Sequence, residues 1–549
     1  MTTDLLRAPT TSDITAPAVL DTAHVGEIRG ALGTIGKDDT VPRSGLPWKL
    51  RTLLAVVGPG LIVMTGDNDA GAFGTYTQAG QNYGTRLLWA LVLLIPVLYV
   101  NQEMVVRLGA VTGVGHARLI LERFGRFWGA FSVIDLFVLN ALTIVTEFIG
   151  ISLGLSYLGL PKVVGVAVAA LAVIAAASTG SFRRFERMCL VLVVGSLILI
   201  PVVVMVHPRP SAVTGGLVPG LPAHAQMSTV VLLLIAIVGT TVAPWQLFFQ
   251  QSYVIDKRIT PRFIRYEQAD LWLGIVLVVV GAAAMMAFTA QAFAAHPGNG
   301  QFTDAGGVAA GLGAYAGRAV GVLFAVALID ASIIGAAALG LSTSYAVADV
   351  LGLRHSLHRK PSEAKAFYAI FAGLVLAAAA IVILPGSPLG LLTVGVQTLA
   401  GVLLPSATVF LLLLCNDRAV LGPWVNGPKL NAFTGGVIAA LVVLSVVLTA
   451  SVLFPEISSA QIATILAVGA ALTAAAGAAT AAARRREPTH WVAVPHAVDR
   501  AGWRMPPLAW LDRPVLSGGR RLGLVVLRGY LLVAAVLVVV RVVQLALGH

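Results

Sequence analysis

The sequence predicts an all-α polytopic membrane protein. The 549-residue chain is 57% hydrophobic and only 11% charged, and its apolar stretches are continuous. A soluble domain carries charge on about a quarter of its residues, whereas an apolar run of about 20 residues matches a helix that crosses the hydrocarbon core. The strands of a membrane barrel would be about 10 residues long and would alternate in polarity. Membrane-spanning helices are therefore expected.

Residues 1–48 are expected to form a disordered cytoplasmic tail. This stretch is polar, carries both charge signs and lacks the apolar core of a signal peptide. A small folded cap is the alternative interpretation.

Twelve apolar stretches follow the tail at the length of membrane helices. A core of about 11 spans is expected over 49–455, and 456–549 adds further C-terminal helices and a basic loop at 484–521. A last apolar run over 523–547 either spans the membrane or lies along its surface. The twelve stretches cover residues 52–77, 86–108, 128–156, 162–181, 188–207, 228–254, 268–295, 317–347, 367–384, 389–415, 431–454 and 460–483.

Loop charges set the expected orientation. Basic residues cluster in alternate loops, and the opposite loops at 208–227 and 296–316 carry few of them. Because cytoplasmic loops are enriched in Lys and Arg, the N-terminus is expected in the cytoplasm and the chain in the inner membrane. Topology therefore explains the net charge of +12 without a nucleic-acid partner. The clusters are Lys49 with Arg51, then Arg183, Arg184 and Arg187, then Lys257 with Arg258, then 354–360 and 484–486.

Two spans are predicted to be broken at mid-membrane. The first contains GPGLIVMTGDNDAGAF at 58–73, and the sixth contains IVGTTVAPWQLFFQQS at 237–252. These spans are five apart, as an inverted five-helix repeat requires, and interrupted helices in corresponding positions of two halves indicate a transporter site. Exposed backbone at this depth is tolerated only where it lines a cavity.

Asp69 is the leading candidate for an ion ligand. It follows a Gly-flanked break and precedes Ala70 and Gly71, so free backbone carbonyls are expected around its carboxylate. Carboxylate and carbonyl oxygens form a hard site that suits Mg²⁺, Ca²⁺ or Mn²⁺. Asp67 reaches the ion or its water shell if the segment is unwound. The alternative is that Asp69 only caps a half-helix.

Other polar groups inside the spans are candidates because each costs a few kcal/mol to bury in lipid. Glu103 and Arg107 have the i, i+4 spacing of an ion pair and would form a structural gate pair. Glu147 either lines the ion or proton pathway or pairs with a neighbour. Asp330 would be a second ligand or a proton carrier. The remaining candidates are Asp135 and Gln397. The amide of Gln397 either bonds a neighbouring helix or coordinates a cation through its oxygen.

Several classes of site are not expected. All ten histidines fall in loops or tails, which argues against an imidazole site within the membrane. There is no phosphate-binding loop of the type found in ATP-driven pumps. No nucleophile and base share a depth, so neither an enzyme nor a cofactor is expected. The two cysteines, Cys189 and Cys415, lie in or beside apolar runs and are expected to be buried thiols.

Six motifs together resemble the NRAMP family of divalent metal transporters over roughly 50–455. They are the first-span segment above, NQEMVVRLGAVTGVG at 101–115, TEFIG at 146–150, GSFRRFER at 180–187, VAPWQLF at 242–248, and Gln397 with Leu404-Pro405. The resemblance implies a LeuT-type inverted repeat, alternating access, and a metal site between the first and sixth spans. The ligands it implies are Asp69, Asp67, the carbonyls of Ala70, Thr240 and Ala243, and Gln397.

The chain departs from the family pattern at several of these positions. Asp69 falls on the family's metal-binding aspartate, and Glu147 is retained. Ala72 stands on an asparagine ligand and Ala243 on a methionine ligand, although the Ala243 carbonyl remains. The resemblance also implies an altered proton route, because Trp245 and Gln250 occupy the positions of two family histidines and Ile144 that of an aspartate. Ala72, Trp245 and Gln246 are expected along the ion or proton pathway.

The departures favour a hard, partly hydrated ion. Losing sulfur removes the ligand that favours soft ions, and Mg²⁺ prefers a site in which it keeps water. The site pattern therefore resembles the NRAMP-related magnesium transporters, and an uncoupled Mg²⁺/Mn²⁺ transporter is expected. One alternative is a proton-coupled Mn²⁺/Fe²⁺ importer. An amino-acid or organic-substrate permease of the same fold is another, although its carboxylate substrate would meet repulsion from Asp67 and Asp69; a non-transporting metal sensor ranks last.

Overall fold

The computed structural model describes residues 19–222, 226–384, 389–454, 457–486 and 500–511, with short pieces at 514, 523–525 and 527–529. Most of the loop at 484–521 and of the apolar run at 523–547 lies outside these residues. The described part is helical apart from one two-stranded antiparallel ribbon, in which Ile28 pairs with Ile35.

The helices follow the predicted spans. In chain order they are α1 (Leu46–Val56), α2 (Pro59–Gly66), α3 (Ala70–Tyr83), α4 (Leu88–Thr112), α5 (His116–Phe124), α6 (Arg126–Tyr157), α7 (Lys162–Ala177), α8 (Phe182–Gly195), α9 (Leu199–Val206), α10 (Pro210–Gly216), α11 (Met227–Thr241), α12 (Pro244–Asp256), α13 (Ile264–Phe293), α14 (Ala305–Tyr315), α15 (Arg318–Leu351), α16 (Lys365–Ile383), α17 (Leu389–Cys415), α18 (Arg418–Leu421), α19 (Pro428–Leu453) and α20 (Ser459–Arg486). The strands are β1 (Ile28–Arg29) and β2 (Thr34–Ile35). Within the described residues, nine helices are long and apolar enough to cross a membrane, and two bent pairs raise this to eleven.

Both predicted breaks are present, and local chemistry explains each. In the first span, α2 ends before Asp67, and Asp69 takes an extended conformation (φ −72°, ψ −176°) as the N-cap of α3. In the sixth span, α11 ends at Thr241, and Ala243 is extended (φ −86°, ψ 144°) before Pro244 opens α12. Proline suits the first helical position because its missing N–H would have no partner there.

The two broken spans lie inside the helix bundle. Helix α13 packs along α2 and α3, α12 packs against α4 and α15, and α15 packs along α6. Several large side chains around the breaks are fully buried, including Tyr76, Phe148 and Phe249. The interrupted backbone is therefore shielded from lipid, as exposed polar groups at this depth require.

The prediction of a disordered tail is wrong for residues 19–45, here called the N-terminal segment. This segment contains a short 3₁₀ turn at Thr22–His24 and the β1–β2 ribbon. Ile28, Ala31 and Ile35 are buried against the bundle. Composition alone suggested disorder because the groups that hold the segment lie far along the chain, and a local pattern does not reveal them.

Three of the five basic clusters share one face of the protein, as predicted. Arg183, Arg258 and Arg359 belong to three different loop clusters, and each donates to the N-terminal segment. This surface is called the N-terminal face below. That it is the cytoplasmic face stays a prediction.

Candidate ion site at the two broken helices

Asp69 caps the second half of the first span. Its Oδ1 accepts a hydrogen bond from the Ala72 amide at 2.8 Å, and the residue is only 3% exposed. An aspartate at this position satisfies an N–H group that has no partner inside the helix. Asp69 therefore does cap a half-helix, as the alternative interpretation proposed, and its carboxylate sits at the break.

Glu147 of α6 approaches the same break. Its Oε2 accepts from the Ala70 amide at 3.1 Å, while its buried Oε1 has no hydrogen-bond partner among the described residues. The facing position on α15 is Gly335, where a Cβ would lie 2.8 Å from Glu147 Oε2 and 3.1 Å from the Asp69 Cβ. A side chain at this position would therefore press on the Glu147 carboxylate where it lies beside Asp69.

Asp67 is held by a chain of amides from two other spans. The Gln246 Nε2 donates to Asp67 Oδ1, and the Gln102 Nε2 donates to Gln246 Oε1 at 2.9 Å. The other oxygen, Asp67 Oδ2, is buried and has no partner within the described part of the chain. A buried carboxylate oxygen without a donor is costly, so this atom is available to a cation.

The sixth-span break contributes further oxygen atoms. Thr240 Oγ1 is buried and has no partner in the residues described. The Ala243 carbonyl accepts from the Gln246 amide at 3.2 Å, which leaves it a second lone pair. The two breaks are joined directly, because the Tyr76 hydroxyl lies 2.7 Å from Thr241 Oγ1.

The polar groups around the breaks are oxygen atoms and amides. Ala72 and Ala243 are buried at 0% and 5% exposure and offer no side-chain ligand. Among the described residues, no three His, Cys, Asp or Glu side chains converge closely enough to hold a metal ion by themselves. Hard cations that keep part of their water shell suit such an arrangement.

The family model described as "Natural resistance-associated macrophage protein-like" matches residues 60–451, well over half of the chain. The chain belongs to the Nramp family. Its members are metal ion transporters rather than enzymes, and they carry no cofactor. The resemblance inferred from the sequence motifs is thereby confirmed.

Similar proteins agree with this assignment. The chain is 29% identical to the divalent metal cation transporter MntH of Ralstonia nicotianae over 401 residues, which are 70% of this chain and 88% of that protein. It is 28% identical to the protein of the same name from Aeromonas hydrophila over 416 residues, 71% of this chain and 94% of that one. A crystal structure of the Eremococcus coleocola manganese transporter with a bis-isothiourea compound matches at a TM-score of 0.62 and 20% identity, covering 83% of this chain and 96% of that one. This likeness confirms the predicted LeuT-type fold.

Trp245 and Gln250, which the sequence motifs align with two family histidines, are both buried. Trp245 is 2% exposed and its carbonyl accepts from Ser342 Oγ at 3.0 Å. Both polar atoms of the Gln250 amide are buried without a partner in the described residues. An indole and an amide do not titrate near neutral pH, so neither group carries a proton as a histidine does.

The predicted gate pair of this Nramp protein forms. Arg107 Nη2 lies 3.0 Å from Glu103 Oε2. The same guanidinium donates to the Trp424 carbonyl at 2.6 Å and to Asn426 Oδ1 at 2.7 Å. The pair therefore ties α4 to the turn that follows α18, and its role as a gate stays a prediction.

Among the described residues, no contact joins Asp330 or Gln397 to the carboxylates at the breaks. Asp330 faces a cavity of about 570 Å³ that Asn68 and Thr65 also line, and its Oδ2 has no partner among the described residues. Gln397 lies on α17, but its side chain is outside the described part. Asp135 accepts from Ser406 Oγ at 3.4 Å, next to α17.

Sequence reasoning missed three residues that hold the site together, namely Gln102, Tyr76 and Thr241. Gln102 precedes the predicted ion pair in NQEM, and a buried amide in a span normally bonds another helix. The same reasoning that made Gln397 a candidate would therefore have identified Gln102 as a residue that bonds another helix. Thr241 carries no such signal, because a threonine hydroxyl in a helix usually bonds its own backbone, as this one also does to the Ile237 carbonyl. Tyr76 carries none because nothing local distinguishes it from an aromatic residue that only packs.

Proposed function

We propose that this Nramp-family protein carries Mg²⁺ and Mn²⁺ across the membrane by alternating access around Asp69. Transport of a divalent metal cation follows the names of its relatives. The choice of a hard ion rests on the groups at the two breaks. The observation that carries it is a set of buried oxygen atoms with no partner in the described residues: Asp67 Oδ2, Glu147 Oε1 and Thr240 Oγ1.

The proposed ion is bound by oxygen alone. Asp69 and Asp67 would supply negative charge, and the carbonyls of Ala70, Thr240 and Ala243 are the proposed neutral ligands. Gln397 completes the set from α17. The small side chains of Ala72 and Ala243 leave room for water, which Mg²⁺ releases reluctantly and which Mn²⁺ tolerates.

Uncoupled transport is the second part of the proposal. Trp245 and Gln250 replace histidines of the Nramp proton route, and Ile144 replaces an acid. The alternative, a proton-coupled Mn²⁺/Fe²⁺ importer, keeps Glu147 and Asp330 as groups that could carry the proton. A permease for amino acids is disfavoured because the substrate carboxylate would meet buried acids rather than free helix N-termini.

Uptake into proteoliposomes that contain a Mg²⁺-sensitive dye tests the cargo. Wild-type protein is expected to admit Mg²⁺, and added Mn²⁺ should compete with it. Amino acids should have no effect on the dye signal. Absence of Mg²⁺ uptake by protein that still takes up Mn²⁺ would return the chain to the alternative.

A further inference from the structure

The N-terminal segment is bound to the start of the fifth span. Arg183 Nε of α8 donates to the Gly30 carbonyl at 2.9 Å, and Arg187 Nε donates to the Ala31 carbonyl at 3.0 Å. In the other direction, the Ala31 amide donates to Glu186 Oε2 at 2.5 Å. Three side chains of one helical turn thus hold two consecutive residues of the segment.

The same segment is bound to parts of the chain beyond the sixth-span break. Arg258, just after α12, donates to the Ala23 carbonyl at 2.9 Å. The carboxylate of Asp21 accepts from Arg359 Nε at 2.9 Å and from the His355 amide at 2.9 Å. Charge-assisted hydrogen bonds of this kind are stronger than neutral ones, and these lie in the second repeat.

Close contact with the first half of the first span completes the arrangement. A Cβ at Gly30 would lie 2.1 Å from the Ala55 carbonyl oxygen, and a Cβ at Gly33 would lie 2.9 Å from the Ala55 Cβ. Ala55 itself is 1% exposed. The segment therefore seals the end of α1 at a distance that only glycine allows.

We propose that the N-terminal segment is a latch that holds the N-terminal face of the transporter closed. It joins the first half of the first span and the fifth span, which belong to one repeat, to the sixth span and the loop after the eighth, which belong to the other. Alternating access requires one repeat or bundle to move against the other. The segment contacts both repeats in the closed arrangement, so it lowers the free energy of that state and shifts the conformational equilibrium toward it. Release of the segment therefore favours the state that is open at this face.

This inference rests on the alternating access proposed above, but its readout needs no cargo. The test compares Gly30→Ala with the matched control Gly36→Ala, since a Cβ at Gly36 would meet no described atom within 4 Å. Spin labels on the full chain report two distances by pulsed electron resonance. Lys37→Cys with Arg184→Cys follows release of the segment, and Leu50→Cys with Arg184→Cys follows the first span against the fifth. The two native cysteines are buried and are replaced by alanine.

Gly30→Ala is expected to lengthen both distances and to raise the open fraction at least about threefold, whereas Gly36→Ala matches the wild type. Arg359→Gln, which leaves Ala55 untouched, should act in the same direction. Release of the segment without a change between Leu50 and Arg184 would overturn the latch. Unchanged distances in Gly30→Ala would also overturn it, because the contact with Ala55 would then not hold the segment. A cargo that proves to be Mn²⁺ alone leaves both distances, and hence this inference, unaffected.

Discussion

Lys257 Nζ lies 2.6 Å from Glu186 Oε1, and neither side chain is exposed to solvent. The ammonium also donates to the Val57 carbonyl at 2.8 Å, at the kink between α1 and α2. One buried ion pair thus joins the start of the fifth span and the end of the sixth to the first span. It also binds the N-terminal segment, because Glu186 accepts from Ala31.

Removing one partner of this pair should destabilise the fold strongly. Lys257→Met leaves Glu186 buried without its counter-charge, a change that costs about 3–5 kcal/mol. Denaturant unfolding of the detergent-solubilised protein measures the loss. The double variant Lys257→Met with Glu186→Leu serves as the control, and it should recover part of the stability because Glu186 is then no longer buried without its counter-charge. A single Lys257→Met that unfolds at the wild-type midpoint would contradict the importance of the pair.

Asp69→Ala should abolish metal uptake without unfolding the protein. Asp304 provides a matched control, because its Oδ1 caps α14 through the Gly307 amide at 2.8 Å, as Asp69 caps α3 at the same distance. If capping were the only role of Asp69, both alanine variants would behave alike. Uptake in proteoliposomes should instead be lost only in Asp69→Ala. Retention of more than about half the wild-type rate there would rule out Asp69 as the ion ligand.

Ala243→Met should shift selectivity toward Mn²⁺ and Cd²⁺. The variant places a thioether at the sixth-span break, and sulfur favours softer ions over Mg²⁺. Competition among the three ions for uptake measures the shift. Ala243→Leu is the control of similar size without sulfur, and it should lower uptake of all ions without changing their order. Equal selectivity in the two variants would mean that Ala243 does not face the ion.

Asp330→Asn should stabilise the protein and leave Mg²⁺ uptake intact. A carboxyl group with an unpartnered oxygen inside a membrane helix costs a few kcal/mol, and an amide lowers that cost by about 1 kcal/mol or more. Unfolding and uptake measurements on the same preparation check both expectations. Loss of transport together with loss of proton movement would instead make Asp330 the proton carrier of the coupled alternative.

Acidification should weaken docking of the N-terminal segment. Burial lowers the pKa of His24 to about 4, although Asp256, Asp349 and Asp21 oppose this shift; His355 adds to it. Burial would also lower the pKa of His355, but its ion pair with Asp349 outweighs this and raises the pKa to about 9. A free histidine titrates near about 6.5. His24 therefore contributes fully to docking above that pH, and its contribution falls by up to about tenfold per pH unit between 6.5 and 4.

The distance between labels at Lys37 and Arg184 measures this effect across the pH range. His24→Gln is the control, because glutamine stays neutral and should flatten the acid limb of the profile. An identical pH profile in wild type and His24→Gln would assign the response to another group.

The breaks were predictable from sequence, whereas the contacts between them were not. The interruptions are indicated by Gly66, Asp67 and Pro244, because helix-breaking and polar residues at mid-membrane are rare. The link from Gln102 through Gln246 to Asp67 joins three spans, and no local pattern specifies which amide meets which acid. The sequence motifs assign each ligand position of the family to a residue of this chain, but the ion-binding roles of those residues remain predictions.

The N-terminal segment shows where composition misleads. Much of the segment is held through its backbone, which side-chain composition does not report: the carbonyls of Ala23, Gly30 and Ala31 accept from arginines at 258, 183 and 187. The positive-inside rule accounts for those arginines as topology signals. It gives no indication that they also bind backbone carbonyls of the same chain.

The central claim is tested most directly by uptake of Mg²⁺ and Mn²⁺ into proteoliposomes that also contain a pH dye. The unpartnered oxygen atoms at the two breaks predict entry of both ions. The side chains of Trp245 and Gln250, which do not titrate near neutral pH, predict no acidification of the interior. Entry of Mn²⁺ with acidification, and no entry of Mg²⁺, would contradict it and identify the chain as a proton-coupled importer.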